Sequence, residues 1–428
     1  MRLLGLWSGV GLVVANMIGV GVLTSAGYMA WDLGPGQILV AWLVGGALAC
    51  VGAVAYGALA EAIPRSGGEY RYLSEVLHPS IGYLAGWTSL LVGFSAPVAA
   101  AAYAAGPFAA TLVPGISEPV VGVGLILCVS LVHALDLRLS KWSQNALVAV
   151  KALLLLGFIV LGVALGAKAW PSWQPANPHP SFPVKPFMVS LVFIAYAYSG
   201  WNAAVYASEE FHEPRRDVPL AMVLGAALVA VAYLAVNWVF VANLSAVDLT
   251  GWTQGDVRRI TLGHVIFTKL VGPTGAAVMS VFVLLALFSS ISAIMLVGPR
   301  VYAAMAQDGF LPRALAPRKG RPPALSVAVQ AAIAIGLLLF QRFDTLITNV
   351  GAVLTLSAAI TVVSLFFLKP RPSWVALACA VVYLGLAGWM LVFALQSWKT
   401  LSWVGAVVVI ALAAYAITRS ASPRPRRV

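Results

Sequence analysis

The first long apolar stretch of the chain runs from Leu3 to Trp31 without a charged residue, and its centre reads ANMIGVGVL at residues 15–23. A run of this length can cross a bilayer as a helix. Gly19 and Gly21, two positions apart near the centre, are poor material for a continuous helix. The pattern therefore predicts a membrane span that is broken in its middle.

The same kind of break recurs in the sixth apolar stretch, residues 186–208, whose centre reads YSGWN at residues 198–202. Unwound backbone at mid-membrane depth is tolerated only where it lines a cavity or is buried in protein. Two interrupted spans in corresponding halves of a chain are typical of membrane transporters, which use the freed amides and carbonyls to hold their cargo. The pairing of these two breaks is the basis of the functional interpretation.

The composition excludes an ordinary soluble domain, because 61% of the residues are hydrophobic and only 9% are charged. Apolar runs longer than about 18 residues, the length of a membrane span, recur along the whole chain. We predict an all-α integral membrane protein with twelve spans and no separate soluble domain. The predicted spans are residues 5–31, 37–60, 83–113, 118–136, 142–167, 187–208, 219–244, 273–306, 323–341, 345–368, 373–395 and 402–418.

The distribution of basic residues predicts the orientation. Most of the 26 lysine and arginine residues fall in loops on one side if the N-terminus is placed in the cytoplasm. By the positive-inside rule, both termini are then cytoplasmic, in a multi-pass protein of the cytoplasmic membrane. The net charge of +12 is thus a topology signal and an attraction to anionic lipid. It is not a nucleic-acid signature, because no basic face is clustered. The first apolar stretch is expected to be a span rather than a cleaved signal peptide.

Lys151 is the one charge predicted to lie inside a span. It follows Lys141 by ten residues on the fifth span, which places it about 15 Å along the helix axis, near mid-bilayer. A lysine there costs about 2.5–3.5 kcal/mol on insertion scales and should face a partner in the protein. It is either a structural ammonium bonded to carbonyls or a group that occupies a cation site at the broken first span and couples its proton to transport.

The polar and aromatic residues of the sixth and eighth spans admit two interpretations. Tyr196, Tyr198 and Trp201 are either core aromatics or a gate beside the break. Asn202 needs hydrogen-bond partners at that depth, which favours a place in a pocket. Ser289 and Ser290 either bond back to their own helix or contribute to a cation site. The glycines of the first break are likewise either contacts for helix packing or part of a binding site.

Catalytic and metal-binding signals are weak. None of the five histidines has a partner at metal-ligand spacing, and no pair of carboxylates falls within a span. We therefore predict no catalytic residue, no metal site and no cofactor. Cys50, Cys128 and Cys379 each sit in an apolar run and are expected to be buried and unpaired. The segment from 65 to 75 is expected to lie at the membrane surface as a short amphipathic helix.

Four strings resemble the amino acid–polyamine–organocation (APC) superfamily, in particular bacterial permeases related to the L-type amino acid transporters. The resemblance covers nearly all of residues 6–417. Two of the strings, PRSGGEYRYLSEVLHPSIGYLAGW and AYSGWNAAVYASEEFHEPRRDVPLA, are specific. All four strings lie at residues 15–23, 64–87, 197–221 and 280–312.

The resemblance implies the LeuT-like fold, in which two five-helix repeats of inverted topology are followed by two further helices. It also implies amino acid transport by alternating access and no enzymatic activity. The expected divisions are a first repeat, an extracytoplasmic loop, a second repeat, two additional helices and a basic cytoplasmic tail. Their bounds are 1–168, 169–186, 187–370, 371–418 and 419–428.

Site residues carried over from the family map onto the two breaks. In the family, amides of the first break hold the substrate carboxylate, which here implies Ile18, Gly19, Val20 and Gly21, with Asn16 beside them. The remaining implied roles cover the ammonium site, the gate and the coupling group. They fall on Tyr196, Tyr198, Ser199 and Asn202 for the substrate, on Tyr196 for the gate, and on Lys151 for coupling in place of sodium. Beyond the resemblance, we add Gly200 to the predicted substrate site, Trp201 to the gate, and Ser289 and Ser290 to the coupling site.

Two departures from the family pattern bear on the substrate. Val20 replaces the hydroxyl residue that the family motif usually carries, which leaves only backbone amides. Asn202 stands where arginine/agmatine exchangers have an acidic residue, and the sequence offers no other carboxylate for the predicted pocket. We expect a neutral amino acid, moved by proton symport or exchange, with no obligatory partner chain. An exporter or a carrier of polyamines or organic cations on the same fold is the alternative, which a carboxylate in the pocket would favour.

Overall fold

The computed structural model describes residues 4–135, 137–167, 170–250, 260–315 and 323–421, without the side chains at 20, 137–148, 300, 304, 313 and 417–421. Over these residues the protein is built from helices, with one isolated bridge between Leu4 and Phe211 and no strand. The α-helices of the first half are α1 Leu6–Met17, α2 Val20–Met29, α3 Pro35–Ala62, α4 Glu69–Val76, α5 Pro79–Thr88, α6 Ser95–Leu112, α7 Glu118–Leu135 and α8 Leu137–Leu165. Those of the second half are α9 Val184–Ala197, α10 Pro214–Asn243, α11 Ala246–Leu249, α12 Leu262–Gln307, α13 Ala324–Phe340, α14 Phe343–Ser364, α15 Trp374–Ala394 and α16 Trp398–Ala421.

Many of these helices are long and apolar enough to cross a bilayer. Among the described residues there are eight such helices, or nine if the bent pair α1 and α2 forms one span. Three shorter apolar helices, Ala149–Leu165, Val184–Ala197 and Ala324–Phe340, fall below that length. The protein is therefore a helical, multi-pass membrane protein.

The break predicted in the first span is confirmed. Helix α1 ends at Met17, and Ile18 and Gly19 have extended backbones before α2 begins at Val20. The two halves meet at an angle of 42°. The carbonyls at the end of α1 and the amides at the start of α2 are therefore free of helical hydrogen bonds at the same depth.

The break predicted in the sixth span is confirmed as well, with a different geometry. Helix α9 ends at Ala197, a turn follows, and a 3₁₀ segment runs over Ala203–Glu210. Gly200 has a φ of +100°, in the left-handed region that favours glycine.

The two breaks lie against each other. A Cβ added to Gly200 would lie 2.9 Å from the carbonyl carbon of Asn16, and a Cβ added to Gly21 would lie 2.4 Å from the Cα of Ala197. Glycine at these two positions is thus required by the close approach of two backbones. The packing interpretation holds for Gly21, whereas Gly19 has more room, because the nearest atom to its added Cβ would be the Ser290 hydroxyl oxygen at 3.4 Å.

The segment between α3 and α5 differs from its predicted place at the membrane surface. The expected short helix forms as α4, but Glu69, Tyr70, Tyr72 and Leu73 are buried in the protein. Tyr72 packs edge-on against Tyr56 of α3. The apolar face of α4 therefore covers other helices instead of lipid, because the tight turn at Gly67 and Gly68, both with positive φ, folds the segment back.

The cysteines are unpaired, as predicted, but they are not buried as predicted. Cys50 and Cys379 are half-buried and Cys128 is exposed. An apolar run in a membrane protein also supplies the face toward lipid, so the run alone does not fix which side of a helix is covered.

Candidate functional site

The carbonyl groups at the end of α1 are bound by the ammonium group of Lys151. The side chain is 1% exposed, and its Nζ donates to the carbonyl oxygens of Ala15 at 2.9 Å and Ile18 at 2.6 Å. A cation is favoured at this place because the C-terminal end of a helix carries partial negative charge. The sequence predicted a protein partner for this lysine, and these two carbonyls are that partner. Both the structural and the coupling interpretations share this geometry.

Helix α12 adds a second donor to the same carbonyl. The Ser290 hydroxyl donates to the Ile18 carbonyl oxygen at 3.0 Å. The neighbouring Ser289 hydroxyl is buried and has no hydrogen-bond partner among the described residues. The structure therefore brings Ser290, but not Ser289, into contact with the first break.

Gly19, at the N-cap of α2, has no side chain to cap the first amides of this helix, and its own amide lies against the Tyr233 hydroxyl. The first N–H groups of a helix lack intrahelical partners and favour an anion. The residues that supply them are Gly19, Val20 and Gly21, although the side chain of Val20 lies outside the described residues. The arrangement can hold a carboxylate through backbone alone.

Tyr233 of α10 joins the two breaks, although the sequence analysis did not predict it as a site residue. Its buried hydroxyl donates to the Met17 carbonyl oxygen at 2.6 Å and lies 3.2 Å from the Ala197 carbonyl oxygen. These are the last residues of α1 and α9. A tyrosine in an apolar span is indistinguishable from a core residue by pattern, so no sequence signal identifies this contact.

A cavity of about 110 Å³ opens beside the second break. Its wall contains six residues that the sequence assigned to the site, including both asparagines. The six are Asn16, Tyr198, Ser199, Gly200, Trp201 and Asn202. Much of the opposite wall comes from the end of α5 and a π-helical turn at Ser89–Phe94, which places Thr88, Ser89, Gly93 and Phe94 on the cavity.

Other predicted site residues lie at the breaks but not on this cavity wall. Tyr196 is buried, and its carbonyl oxygen accepts the Ser199 amide at 3.0 Å. Tyr196 is not among the residues that line this cavity. The other described site residues absent from the cavity wall are Ile18, Gly19, Gly21, Lys151, Ser289 and Ser290.

The expectation that nothing anionic lines the pocket is wrong, because Glu69 lies on the cavity wall. Its side chain is 6% exposed. It accepts hydrogen bonds from Asn202 Nδ2 at 2.5 Å, the Tyr206 hydroxyl at 2.7 Å and the Tyr56 hydroxyl at 3.3 Å. The loop position of Glu69 concealed it from the sequence reading, since only the folded-back turn before α4 brings it to Asn202.

All donors to Glu69 are neutral. Among the described residues, no lysine, arginine or histidine forms an ion pair with it; Arg71, two positions on, binds Asp308 at 3.1 Å and approaches Glu75 at 3.8 Å. Burial raises the pKa of the Glu69 carboxyl above its ordinary value, although hydrogen bonds from Tyr206, its own backbone, Tyr56 and Asn202 act the other way. The cavity thus carries one carboxyl group and no described cation on its wall.

Comparison with known proteins shows similarity over nearly the whole chain. The model of the family described as "Amino acid permease" matches residues 4–398. The Rattus norvegicus protein named "Large neutral amino acids transporter small subunit 2" is 28% identical over 426 residues, which are 95% of this chain and 78% of that protein.

Two further relatives have different printed names. The Mus musculus "Asc-type amino acid transporter 1" is 28% identical over 429 residues, 95% of this chain and 79% of that protein. The Mus musculus "b(0,+)-type amino acid transporter 1" is 31% identical over 276 residues, 60% of this chain and 54% of that protein. The matched family and these relatives are transporters and not enzymes.

Proposed function

The chain belongs to the amino acid permease family, and on that premise we propose that it is a secondary active transporter of neutral amino acids. It works by alternating access across the cytoplasmic membrane. The observation that carries this proposal is the contact of two broken helices at Asn16–Gly200 and Gly21–Ala197, beside a cavity lined by the second break and by Asn16 of α1.

The proposed architecture has twelve spans in a LeuT-like arrangement. The eight long helices, the bent pair and the three shorter apolar helices of the described residues support this number. Repeats at 1–168 and 187–370, with the loop 169–186 between them, place a break in the first span of each. The helices of 371–418 follow, and both termini lie in the cytoplasm. Most of the tail from 419 to 428 lies outside the described residues.

A zwitterion fits the chemistry of the two breaks. The amides at Gly19, Val20 and Gly21 suit the substrate carboxylate, and carbonyls at the end of α9, near Tyr196 and Tyr198, suit the ammonium. Trp201 and Tyr196 are proposed to gate the path. Coupling is assigned to Lys151 with Ser290, whose donors hold the carbonyl of Ile18 where a sodium ion would otherwise bind.

Glu69 favours a second candidate, a carrier of polyamines or other organic cations on the same fold. A carboxylate on a cavity wall that also carries the aromatic rings of Trp201, Tyr206 and Tyr383 attracts cations and repels anions. The hydrogen bonds that Glu69 already accepts leave it less free to serve as such a ligand. Neutral amino acids therefore stay the leading proposal.

No obligatory partner chain is proposed. The rat relative is named a small subunit, whereas the three cysteines of this chain lie within its helices and are unpaired. Transport by the purified chain alone in liposomes supports independence, and transport that requires a second subunit contradicts it.

One experiment tests substrate and coupling together. The purified protein in liposomes is screened for uptake of the twenty amino acids and of putrescine, with and without a pH gradient and with and without internal substrate. Uptake of neutral amino acids is expected, driven by the gradient or by internal substrate. Uptake of putrescine alone supports the second candidate, and no uptake of any compound under any condition contradicts both.

A further inference from the structure

The hydrogen bonds around Glu69 join two segments that belong to different parts of the molecule. Glu69 begins α4, after the turn that follows α3, whereas Asn202 and Tyr206 lie at the second break and in the 3₁₀ segment beyond it. A parallel link runs a few residues away, where the Glu209 amide donates to the Ser66 hydroxyl at 3.0 Å. Both ends of the 3₁₀ segment are therefore hydrogen-bonded to residues at or just before the start of α4, through Asn202 to Glu69 and through Glu209 to Ser66.

The end of the 3₁₀ segment is also hydrogen-bonded to Leu4, just before α1. The Leu4 amide donates to the Glu210 carbonyl at 2.9 Å, and the His212 amide donates to the Leu4 carbonyl at 2.9 Å. Any force that holds or releases the 3₁₀ segment thus acts on α1 as well. Glu69 lies at the cavity end of this attachment, where it is the charged member.

We propose that Glu69 is a proton-binding site whose occupancy controls how firmly the 3₁₀ segment Ala203–Glu210 is held against the protein on the cytoplasmic side. When the carboxyl group is ionised, its hydrogen bonds from Asn202 and Tyr206 are charge-assisted and strong. When it is protonated, they become neutral and weaker, and the segment opens the cavity to the cytoplasm more readily. This inference rests on the proposed transport function.

The local geometry accommodates the proton. A proton from the cytoplasmic side binds Oε2 of Glu69, which now accepts from the Tyr206 hydroxyl at 2.7 Å. That hydroxyl then turns, accepts the new O–H and directs its own hydrogen into the cavity that it lines. Tyr206 also accepts from Asn202 Nδ2 at 3.3 Å, so its oxygen keeps a donor in both states. No other group has to move.

The groups facing Glu69 are uncharged at neutral pH. Tyr56 of α3, Tyr206 of the 3₁₀ segment and Tyr383 of α15 lie around the carboxyl group, and Tyr72 lies on its own helix. Arg71 and Glu75 on α4 and Asp308 after α12 are engaged with one another. Burial, which raises the pKa of the Glu69 carboxyl, agrees with proton uptake above the range of an ordinary carboxyl group.

The test measures access to the cavity from the cytoplasmic side. In a background with Cys50, Cys128 and Cys379 replaced by alanine, Thr88→Cys places a thiol on the cavity wall. Inside-out vesicles are treated with a membrane-impermeant thiol reagent at a series of pH values from about pH 8 down to about pH 5, because burial raises the pKa of the Glu69 carboxyl above its ordinary value. The labelling rate of Glu69→Gln is divided by that of the Glu69 protein at each pH, which cancels the pH dependence of the thiol itself.

Glu69→Gln imitates the protonated carboxyl group, so the ratio should be about fivefold at the high end of the pH series, the effect of a weakened charge-assisted hydrogen bond. It should fall to about 1 at the low end, where Glu69 is itself protonated. Glu75→Gln, the same substitution on the partly exposed face of α4, should give a ratio of about 1 at every pH. If Glu69→Gln does not fold, Tyr206→Phe replaces it and should increase labelling at the high end of the series only.

A ratio of 1 at every pH overturns the proposal. A ratio above 1 that is the same at every pH overturns the proton site, because the carboxyl group then holds the segment without titrating. Uptake of neutral amino acids is measured on the same preparations in liposomes. Its absence in the Glu69 protein refutes the proposed function, whereas uptake with a flat ratio refutes only the role of Glu69.

Discussion

Each of the two breaks leaves unwound backbone inside an apolar stretch, and groups of opposite charge stabilise them. At the first break, a cation and a hydroxyl, from Lys151 and Ser290, hold the bare Ile18 carbonyl. At the second break, an anion, Glu69, holds the side chains that follow the turn. The first arrangement binds the backbone itself, and the second binds side chains. Loss of Lys151 should therefore disturb the backbone of the first break directly, whereas loss of Glu69 should release only side chains at the second break.

The largest effect is expected from Lys151→Ala. The substitution removes both hydrogen bonds of the ammonium and leaves the Ala15 carbonyl without a donor, a loss of about 1–3 kcal/mol for each unsatisfied buried group. Uptake in liposomes should fall by more than about tenfold while the protein remains folded. Lys185→Ala, which removes an exposed lysine, is the matched control and should transport normally. Full uptake by a folded Lys151→Ala protein would refute the coupling role.

The next largest effect is expected from Gly200→Ala, which should lower the stability of the protein. The φ of +100° strains any other residue, and the added Cβ would lie 2.9 Å from the Asn16 backbone. A loss of about 1–3 kcal/mol is expected, seen as a lower melting temperature of the purified protein. Gly11→Ala in α1, where a Cβ meets nothing within 4 Å, should be neutral or stabilising. Equal melting temperatures for the two variants would show that the breaks do not approach as described.

Tyr233→Phe tests whether the breaks are linked. Loss of its hydroxyl removes the bond to the Met17 carbonyl and the contact with the Ala197 carbonyl. One buried hydrogen bond contributes about 1 kcal/mol, so transport rates should change by about fivefold with folding retained. The measurement is initial uptake rate at saturating substrate. An unchanged rate would mean that the two breaks act independently.

The smallest effect is expected far from both breaks, at Asp248. Burial raises the pKa of its carboxyl, but hydrogen bonds from Lys269 and Ser245 outweigh it, so the pKa lies below its ordinary value. A depressed folded pKa stabilises the protein above the unfolded pKa, and this stability is lost as the pH falls through the folded value. Asp248→Asn should lower stability near pH 7 by less than about 1 kcal/mol, since Lys269 is partly exposed.

As the pH falls through the depressed folded pKa of Asp248, the melting temperatures of wild type and Asp248→Asn should converge, because the wild-type carboxyl becomes protonated. Uptake should be unchanged by this substitution. A transport defect in Asp248→Asn would show that the extramembrane ion pair takes part in the conformational cycle.

The sequence identified the features that depend on local pattern. A glycine pair in the first apolar run and the string YSGWN in the sixth located the two breaks, and the ten-residue spacing from Lys141 placed Lys151 near mid-bilayer, where it binds the carbonyls of the first break. Contacts between residues that are far apart in the sequence could not be predicted from local pattern. Tyr233 looks like a core residue, and Glu69 looks like a loop residue until the turn at Gly67 and Gly68 buries it beside Asn202.

The glycine motif shows why a pattern alone cannot assign roles. Gly21 packs against Ala197, while Gly19 lies in the gap with room beside Ser290. The packing and binding interpretations therefore apply to neighbouring residues of one motif. Only the contacts across the break separate them.

Substrate binding by a Gly19→Leu variant shows whether the broken first helix holds the substrate. A leucine side chain at this position should fill the gap beside Ser290 and exclude the substrate carboxylate from the amides of α2. The measurement is the rise in melting temperature on addition of the best transported amino acid, compared with Gly11→Leu, a position with open space in the same span. We expect the rise in melting temperature to disappear in Gly19→Leu and to persist in Gly11→Leu. The same rise in both variants would contradict a substrate held at the broken helix.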